Sequence, residues 1–337
     1  MTAATLPENA AGNRKIKWLA IGIVVFLILY SAGWFLAASQ IRSRLAAFLD
    51  GERTSGLSAE CADMDVRGFP FRIGVFCDTV RLDHAPMAAS ASFGALRSAA
   101  QVYRPGHAVV ELDGPAEIRV SPGLTLSADW SLLHSSVKAG FSGLERSSLS
   151  YDQLAGNVLL TAAGKSTDFA AAHGEAHLRR NGPDLDAALS VEKLELKPGK
   201  GANLLPPANA VLDITLADRA FLMEPGRLTR DALRDSKGEM RKLALDLGDG
   251  MVATASGPYS IDAEGLISGE FEVTMTNIEG WRRTLAKAFP DAEDLVENIG
   301  GMLSVLSNGG KEARVKLNVR DGTAFLAFIP IGVLPRL

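Results

Sequence analysis

Residues Trp18 to Ala38 read WLAIGIVVFLILYSAGWFLAA, twenty-one residues without one Asp, Glu, Lys, Arg or His. A helix rises about 1.5 Å per residue, so the run covers roughly 30 Å, the thickness of a bilayer's hydrocarbon core. A core helix of a water-soluble fold carries a polar face at this length, and this run has none. A bilayer-spanning helix over 18–38 is therefore expected, and the rest of the chain must fold outside the lipid. Trp18, Tyr30 and Trp34 lie towards the ends of the run, where amphipathic rings prefer the interface. Ile41, Leu45, Phe48 and Leu49 continue at helical spacing and carry the helix to about Asp50.

Arg14, Lys15 and Lys17 precede the run and Arg42, Arg44 and Arg53 follow it, so basic residues alone do not orient the span. The short basic N-terminal tail and the long C-terminal region, which translocates largely regardless of charge, favour an N-in, C-out anchor. A cleaved signal peptide has an apolar core of only ~7–15 residues, although Ala37-Ala38-Ser39 mimics its cleavage site. The expected organisation is a disordered tail over 1–13, a helix with its extension over 14–50, and a β-rich domain over 51–337. The Pro/Gly stretch 198–207 (PGKGANLLPP) is expected as a sub-boundary.

The net charge of −4 disfavours a nucleic-acid partner, which calls for a basic face. An aromatic content of 7% also argues against a base-stacking platform. Cys61 and Cys77 are the only cysteines, and in an oxidising compartment they are expected to form one disulfide. A loop of about 16 residues gains about 3 kcal/mol in the chain-entropy model. No C-x-x-C or neighbouring histidine pair makes them metal ligands.

Beyond Met64, short alternating segments are broken by Gly, Pro and Asp. Phe71, Ile73, Val75 and Cys77 share one face. So do Ile118 and Val120 with Leu124, Leu126, Ala128 and Trp130 across a Ser-Pro-Gly turn. The pattern returns at Leu212–Leu216, Leu243–Leu247, Ile267–Met275 and Val315–Val319. Period-two alternation is the habit of antiparallel sheets with one wet face. Asp321-Gly322 supplies a hairpin turn. Strands are expected to recur at roughly 10–15 residue spacing. Two helices are expected in the C-terminal third, 278–289 and 291–306, with Asn277 and Asp291 as N-caps, and a shorter one over 228–235. The basic residues Arg282, Arg283 and Lys287 leave a membrane-lying helix open for the first. The expected fold is mainly β (α+β): a transmembrane helix, then a long twisted antiparallel sheet, curled or sandwich-like.

Candidate chemistry is sparse. His173, Glu175 and His177 fall on one side of a strand together with Phe169, and their donor types suit a divalent metal. We read them as a solvated polar face, since this is not the helical H-E-x-x-H pattern. No nucleophile elbow and no phosphate loop is present. No catalytic residue, metal or other cofactor is expected, and the chain is not expected to be an enzyme. A curled sheet beside a membrane leaves two options: an open apolar groove suited to an acyl chain, or a closed core.

Three pieces together resemble a known family. They are Val66-Arg67-Gly68-Phe69-Pro70-Phe71-Arg72-Ile73 flanked by the two cysteines, the Phe271–Trp281 strand-to-helix junction, and the chain end Ala327–Pro335. They are similar to domain of unknown function family 2125, uncharacterised envelope proteins of Gram-negative bacteria. The Gly68-Phe69-Pro70-Phe71 element also resembles elements of membrane-anchored, β-rich AsmA-like proteins. The family resemblance implies an envelope protein and carries over no catalytic residue, and the looser AsmA-like analogy implies a long twisted sheet with a lipid-compatible inner face. With the anchor reading, the expected location is the inner membrane with a periplasmic domain. Physically, Gly68 permits an unusual turn, Pro70 suits the start of a strand, and Phe69 and Phe71 are expected on one face. Ile329-Pro330-Ile331-Gly332 is expected as an apolar edge strand. The functional expectation is non-catalytic binding or shielding of lipid-like molecules. The alternatives are an envelope scaffold with a closed core and, third, a metal-dependent hydrolase. Ligand and protein partners are not named by the sequence.

Overall fold

The structure, a computed structural model, describes residues 10–52, 57–85, 88–120, 123–140, 143–199, 201–224, 227, 231–307 and 310–337. Helix α1 runs Ala10–Glu52, so it begins inside the segment expected to be a disordered tail. Residues 1–9 and Arg53 lie outside the described residues. Its apolar side chains from Ile16 to Leu29 are exposed, whereas Trp34 and Ala38 are buried against the β-domain.

The strands are β1 Leu57–Cys61, β2 Asp65–Arg67, β3 Arg72–Cys77, β4 Val80–His84, β5 Ala89–Phe93, β6 Leu96–Gln101, β7 Arg104–Leu112, β8 Ala116–Val120, β9 Leu124–Asp129 and β10 Leu132–Gly140. They continue with β11 Gly143–Leu160, β12 Lys165–Asn181, β13 Asp184–Pro198, β14 Ala208–Leu216, β15 Ser236–Asp246, β16 Val252–Ile261, β17 Ile267–Thr276, β18 Glu312–Arg320, β19 Thr323–Leu326 and β20 Ile329–Val333. Helices α2 Ile278–Ala288 and α3 Glu293–Leu306 lie between β17 and β18. All strand pairs are antiparallel, and from β11 onward each strand pairs with its successor.

The first ten strands look like two branches. β10, β7, β6, β3 and β2 lie along half of β11, and β9, β8, β5, β4 and β1 along the other half. The connections show what they are. β3 and β4 are separated only by Asp78-Thr79, β5 and β6 by Gly94-Ala95, β7 and β8 by Asp113–Pro115, and β9 and β10 by Trp130-Ser131. These breaks are level with one another. Gly94 N–H donates to the Asp113 carbonyl (3.0 Å), Asp113 N–H to Ala95 (2.8 Å) and the Trp130 indole to Leu112 (2.7 Å). Each pair is one long strand broken at the same height, so the sheet is a meander in chain order with a crease across it. The short strand spacing read from the sequence is the spacing of half-strands. Unbroken β11 and β12 have 18 and 17 residues.

Packing at the crease is close. A Cβ on Gly94 would lie 2.6 Å from the Gly114 carbonyl oxygen, so the two crossings touch backbone to backbone. In β11 and β13 the crease passes as bulges, with Gln153 and Lys193 at positive φ (52° and 51°). Cys61 and Cys77 flank it on the first two long strands and are joined as a disulfide with Cα atoms 5.3 Å apart.

Several expectations need correction. The stretch 198–207 joins β13 to β14, and these two strands pair, so the sheet runs on through it. Residues 231–235 form a turn rather than a helix, because Ser236 already begins β15; 228–230 lie outside the described residues. Asp291 does not cap α3: it sits inside a 3-10 turn, Pro290–Ala292, opened by its proline, and Glu293 and Asp294 supply the negative charge at the helix start instead. Asn277 does cap α2, accepting from the Gly280 N–H at 3.1 Å. Asp321 and Gly322, both at positive φ, make the hairpin turn, and β20 pairs with β19 alone among the described residues.

Among the described residues, most of the buried apolar side chains lie from β14 onward. Trp281 of α2 packs on Ala208, Leu247 and Met251, while Ile278 of α2 and Leu303 of α3 pack on Ala313 and Leu326. The apolar stripe of α2 thus faces the sheet, and Arg282 bonds Glu279 and Glu297, so α2 is a packed helix rather than a membrane-lying one.

Candidate functional site

The sheet's apolar face becomes a cavity between β14 and β19. A flat sheet would hold these two strands about 24 Å apart, five steps of about 4.8 Å. Ile214 of β14, Leu317 of β18 and Ala324 of β19 nevertheless line one cavity of about 400 Å³, so the sheet curls. Met240, Tyr259 and Phe271 form its floor, and Leu334 and Leu337 from the chain end line it too. The end is pinned by Leu334 N–H to Gly322 (2.7 Å) and Leu337 N–H to Gly265 (3.0 Å). Among the described residues, Tyr259 brings the only polar side-chain group in the lining. Its hydroxyl donates to the Thr215 carbonyl at 3.3 Å, and burial pushes its pKa above the ordinary tyrosine value. The volume falls in the range of small-molecule sites, and the lining suits hydrocarbon.

The cavity is one end of a longer apolar track. Cross-strand register links Ile73, Ala100, Ala108, Val137, Ser147, Leu178, Ala187, Ile214 and Met240 in a row from β3 to β15. Only Ser147 is polar. Eight steps at about 4.8 Å give the row a contour of about 38 Å. It is not fully covered: Leu178, and Leu189 and Leu243 in the next row, are 37%, 46% and 40% exposed. A wider cleft of about 900 Å³ lies between residues 198–206 and α2, and it is wetter, bordered by Asp249, Asn277, Arg283 and Lys287.

The opposite face carries the polar groups. His173, Glu175 and His177 do come together there. His173 Nδ1 lies 2.6 Å from Asp152 of β11, Glu175 reaches His173 Nε2 at 3.5 Å and His177 Nε2 at 3.0 Å, and His177 Nδ1 lies 3.0 Å from the Ser148 hydroxyl. Every ring nitrogen is thus engaged by a neighbour, and no group of three metal-type donors converges among the described residues. Bonds from Asp152, then Glu175, raise the His173 pKa, and bonds from His177 and His173 lower that of Glu175. Phe169 is not on this face. Gly174 pairs with Val191 and Phe169 with Leu196, both on the apolar side, because the crease bulge at Ala171-Ala172 inverts the alternation.

Further along the same face, Asp186 is buried at 6% exposure. Arg179 reaches it at 2.6 Å, Thr215 donates to it at 2.8 Å, and Arg241 reaches it at 3.2 Å from a bulge in β15 while also bonding Asp213 and Thr215. Burial alone would raise the Asp186 pKa, but these bonds outweigh it and hold the group below the ordinary carboxylate value.

The Gly68–Phe71 element is a turn before β3. Gly68 has φ +126°, and a Cβ there would lie 2.9 Å from the Arg72 carbonyl oxygen, so the glycine is required. Phe69 and Phe71 part company: Phe69 packs on Trp34 and Phe35 of α1, whereas Phe71 is 67% exposed. Sequence reasoning does not single out the chain end or Tyr259 as cavity residues; the alternation of Ile329, Ile331 and Val333 marks β20 but does not reach Leu334 or Leu337.

Residues 34–335 match the profile of a family described as an uncharacterized protein conserved in bacteria, DUF2125. No curated protein and no solved structure matches the chain.

Proposed function

The chain belongs to the bacterial DUF2125 family, and from that premise we propose that it is a non-catalytic, membrane-anchored protein whose β-domain binds or shields lipid-like molecules. The observation that carries this reading is the cavity between β14 and β19, with one tethered hydroxyl in an otherwise apolar lining. Each buried CH₂ contributes about 0.8 kcal/mol, so a short acyl segment binds there without any charged partner. The part-exposed track leading to the cavity supports the same reading.

We place the helix across the inner membrane with the N-terminus cytoplasmic and the β-domain periplasmic. An apolar helix of this length fits an anchor or a signal sequence, and a disulfide belongs to an oxidising compartment. In this reading the polar His173/Glu175/His177 face is structural.

The test is saturable binding of a fluorescent fatty acid, cis-parinaric acid, to the full-length protein in detergent. Leu243 lines the cavity yet is 40% exposed, so Leu243→Glu is expected to fold, which its circular dichroism and urea midpoint check. It is expected to weaken binding about tenfold or more, since a carboxylate must be desolvated or the cavity flooded. Equal affinity in both proteins would remove the lipid reading and leave the scaffold with a closed core.

A further inference from the structure

We propose that the Gly68–Arg72 turn and the β6–β7 turn at Tyr103 form a rim that inserts into the headgroup layer of the bilayer that α1 crosses. The inference rests on the anchor reading of α1 and adds a second, separate membrane contact.

The turn is fixed to the helix at a definite height. The Tyr30 hydroxyl donates to the Pro70 carbonyl at 2.5 Å, and the Trp34 indole donates to the Arg72 carbonyl at 2.9 Å. Phe69 meets Trp34 edge-on and stacks on Phe35, each with ring centroids 5.6 Å apart. Lipid hydrocarbon does not tolerate an irregular backbone turn with polar groups exposed to it. The lipid boundary therefore lies at Tyr30–Trp34 rather than at Ala38. Counting back from Trp34, twenty helical steps reach Arg14, inside the basic cluster Arg14–Lys17. Of these, the uncharged steps from Trp18 to Trp34 cover roughly 24 Å at about 1.5 Å per step, and Lys15 and Lys17 make up the remainder by extending their ammonium groups to the headgroups.

At that height the rim presents side chains suited to an interface. Phe71 is 67% exposed and Tyr103 69% exposed, and the Val102 N–H donates to the Phe71 carbonyl at 3.0 Å, which holds the two turns together. Exposed Arg72 and Arg104 adjoin them and match lipid phosphates. Large exposed rings beside basic residues, level with the end of a spanning helix, are the composition of an aromatic belt. The rim continues it from the helix onto the β-domain.

The experiment places a tryptophan at either rim position, Phe71→Trp or Tyr103→Trp, in the full-length chain. The protein is reconstituted into phosphatidylethanolamine–phosphatidylglycerol vesicles with and without brominated acyl chains. The emission added over wild type is expected to be quenched by the brominated lipid in both variants. Leu160→Trp, at the end of β11 away from the rim, is expected to stay unquenched. Quenching of the native Trp18, at the other end of the helix and 65% exposed, reports separately on the anchor, read as the emission lost in Trp18→Phe. If Trp18 is not quenched, the anchor reading fails and the rim with it. If Trp18 is quenched and the added rings are not, the rim proposal alone is overturned. Added emission that shifts to the blue only as protein density rises assigns the surface to a second copy of the chain and also overturns it.

Discussion

The creased N-terminal part of the sheet and its curled C-terminal part are built from the same alternating strands, yet they are stabilised differently. Between β14 and β20, α2, α3 and the chain end cover the apolar face, and buried residues gather into clusters around Trp281, Leu303 and Phe271. Between β1 and β13, α1 meets the first strands, the 3-10 turn Ala220–Met223 packs on one end of β11–β13 around Leu185, and no other α-helix covers that face among the described residues. Its side chains are mostly half-buried, and local devices hold it: a disulfide, bulges and ladders of small residues. Where a sheet has a cover, burial supplies stability; where the cover is missing, local devices take its place.

The sharpest way to break that contrast is Trp281→Ala. It removes the indole from the cluster beneath α2 and is expected to cost about 3–5 kcal/mol, measured by urea unfolding. A cost near zero would mean that the helical cover carries no stability. Opening the staple in the creased part with Cys61→Ser releases a loop closed over a sequence separation of 16. The expected cost is about 3 kcal/mol, read as a fall in the urea midpoint under non-reducing conditions. Arg241→Ala withdraws one of the cations facing buried Asp186. The Arg241 side chain is 40% exposed and screened by solvent. A loss of about 1–2 kcal/mol is therefore expected, less than for a fully buried pair. Because the Asp186 pKa is lowered by folding, its contribution is present above the ordinary carboxylate range and fades as pH falls through the folded value. The variant should therefore lose stability at a higher pH than wild type in an acid titration. Leu189→Ala, on the uncovered face at 46% exposure, is expected to change stability by less than about 1 kcal/mol. A loss as large as that of Trp281→Ala would show that the creased face is covered after all.

The smallest effect is expected at His173. Its folded pKa is raised, so the imidazolium bonds to Asp152 and Glu175 are fully present below the ordinary histidine value of about 6.5 and are lost as pH rises through the folded value. An NMR titration of the ring should show a midpoint above that of a free histidine, and Asp152→Asn should bring it back down.

The sequence made the material of both parts legible but not their difference. Alternation located the strands, Asn277 marked the start of α2, Asp321-Gly322 set a hairpin, and the cysteine spacing pointed to the bridge. The crease was hidden because Gly94-Ala95 and Asp113-Gly114-Pro115 read as ordinary turns, whereas here the chain continues past them in nearly the same direction. The same blindness put Phe169 beside His173, since a bulge inverts alternation without leaving a residue type that announces it. The length of the apolar helix was legible, but its contact with the β-domain was not. That contact depends on Tyr30 and Trp34 finding carbonyl partners forty and thirty-eight residues away. The cavity escaped because it depends on curling, which brings β14 near β19, and on a C-terminal tail that alternation alone does not place.

The chain-order meander also bears on how the molecule comes to be made. Every long strand pairs with the one synthesised just before it, so no strand waits for a distant partner. Hairpins close in about 1–10 μs, whereas a ribosome adds only about 5–20 residues per second. The growing edge can therefore be filled as fast as new chain arrives. Helix α1 and the disulfide secure the first long strand, and Pro330, which offers no N–H, lies on the last. The domain can grow like a zip with one fixed end, and its latest edge, the one most open to a wrong partner, is completed by a strand that blunts it.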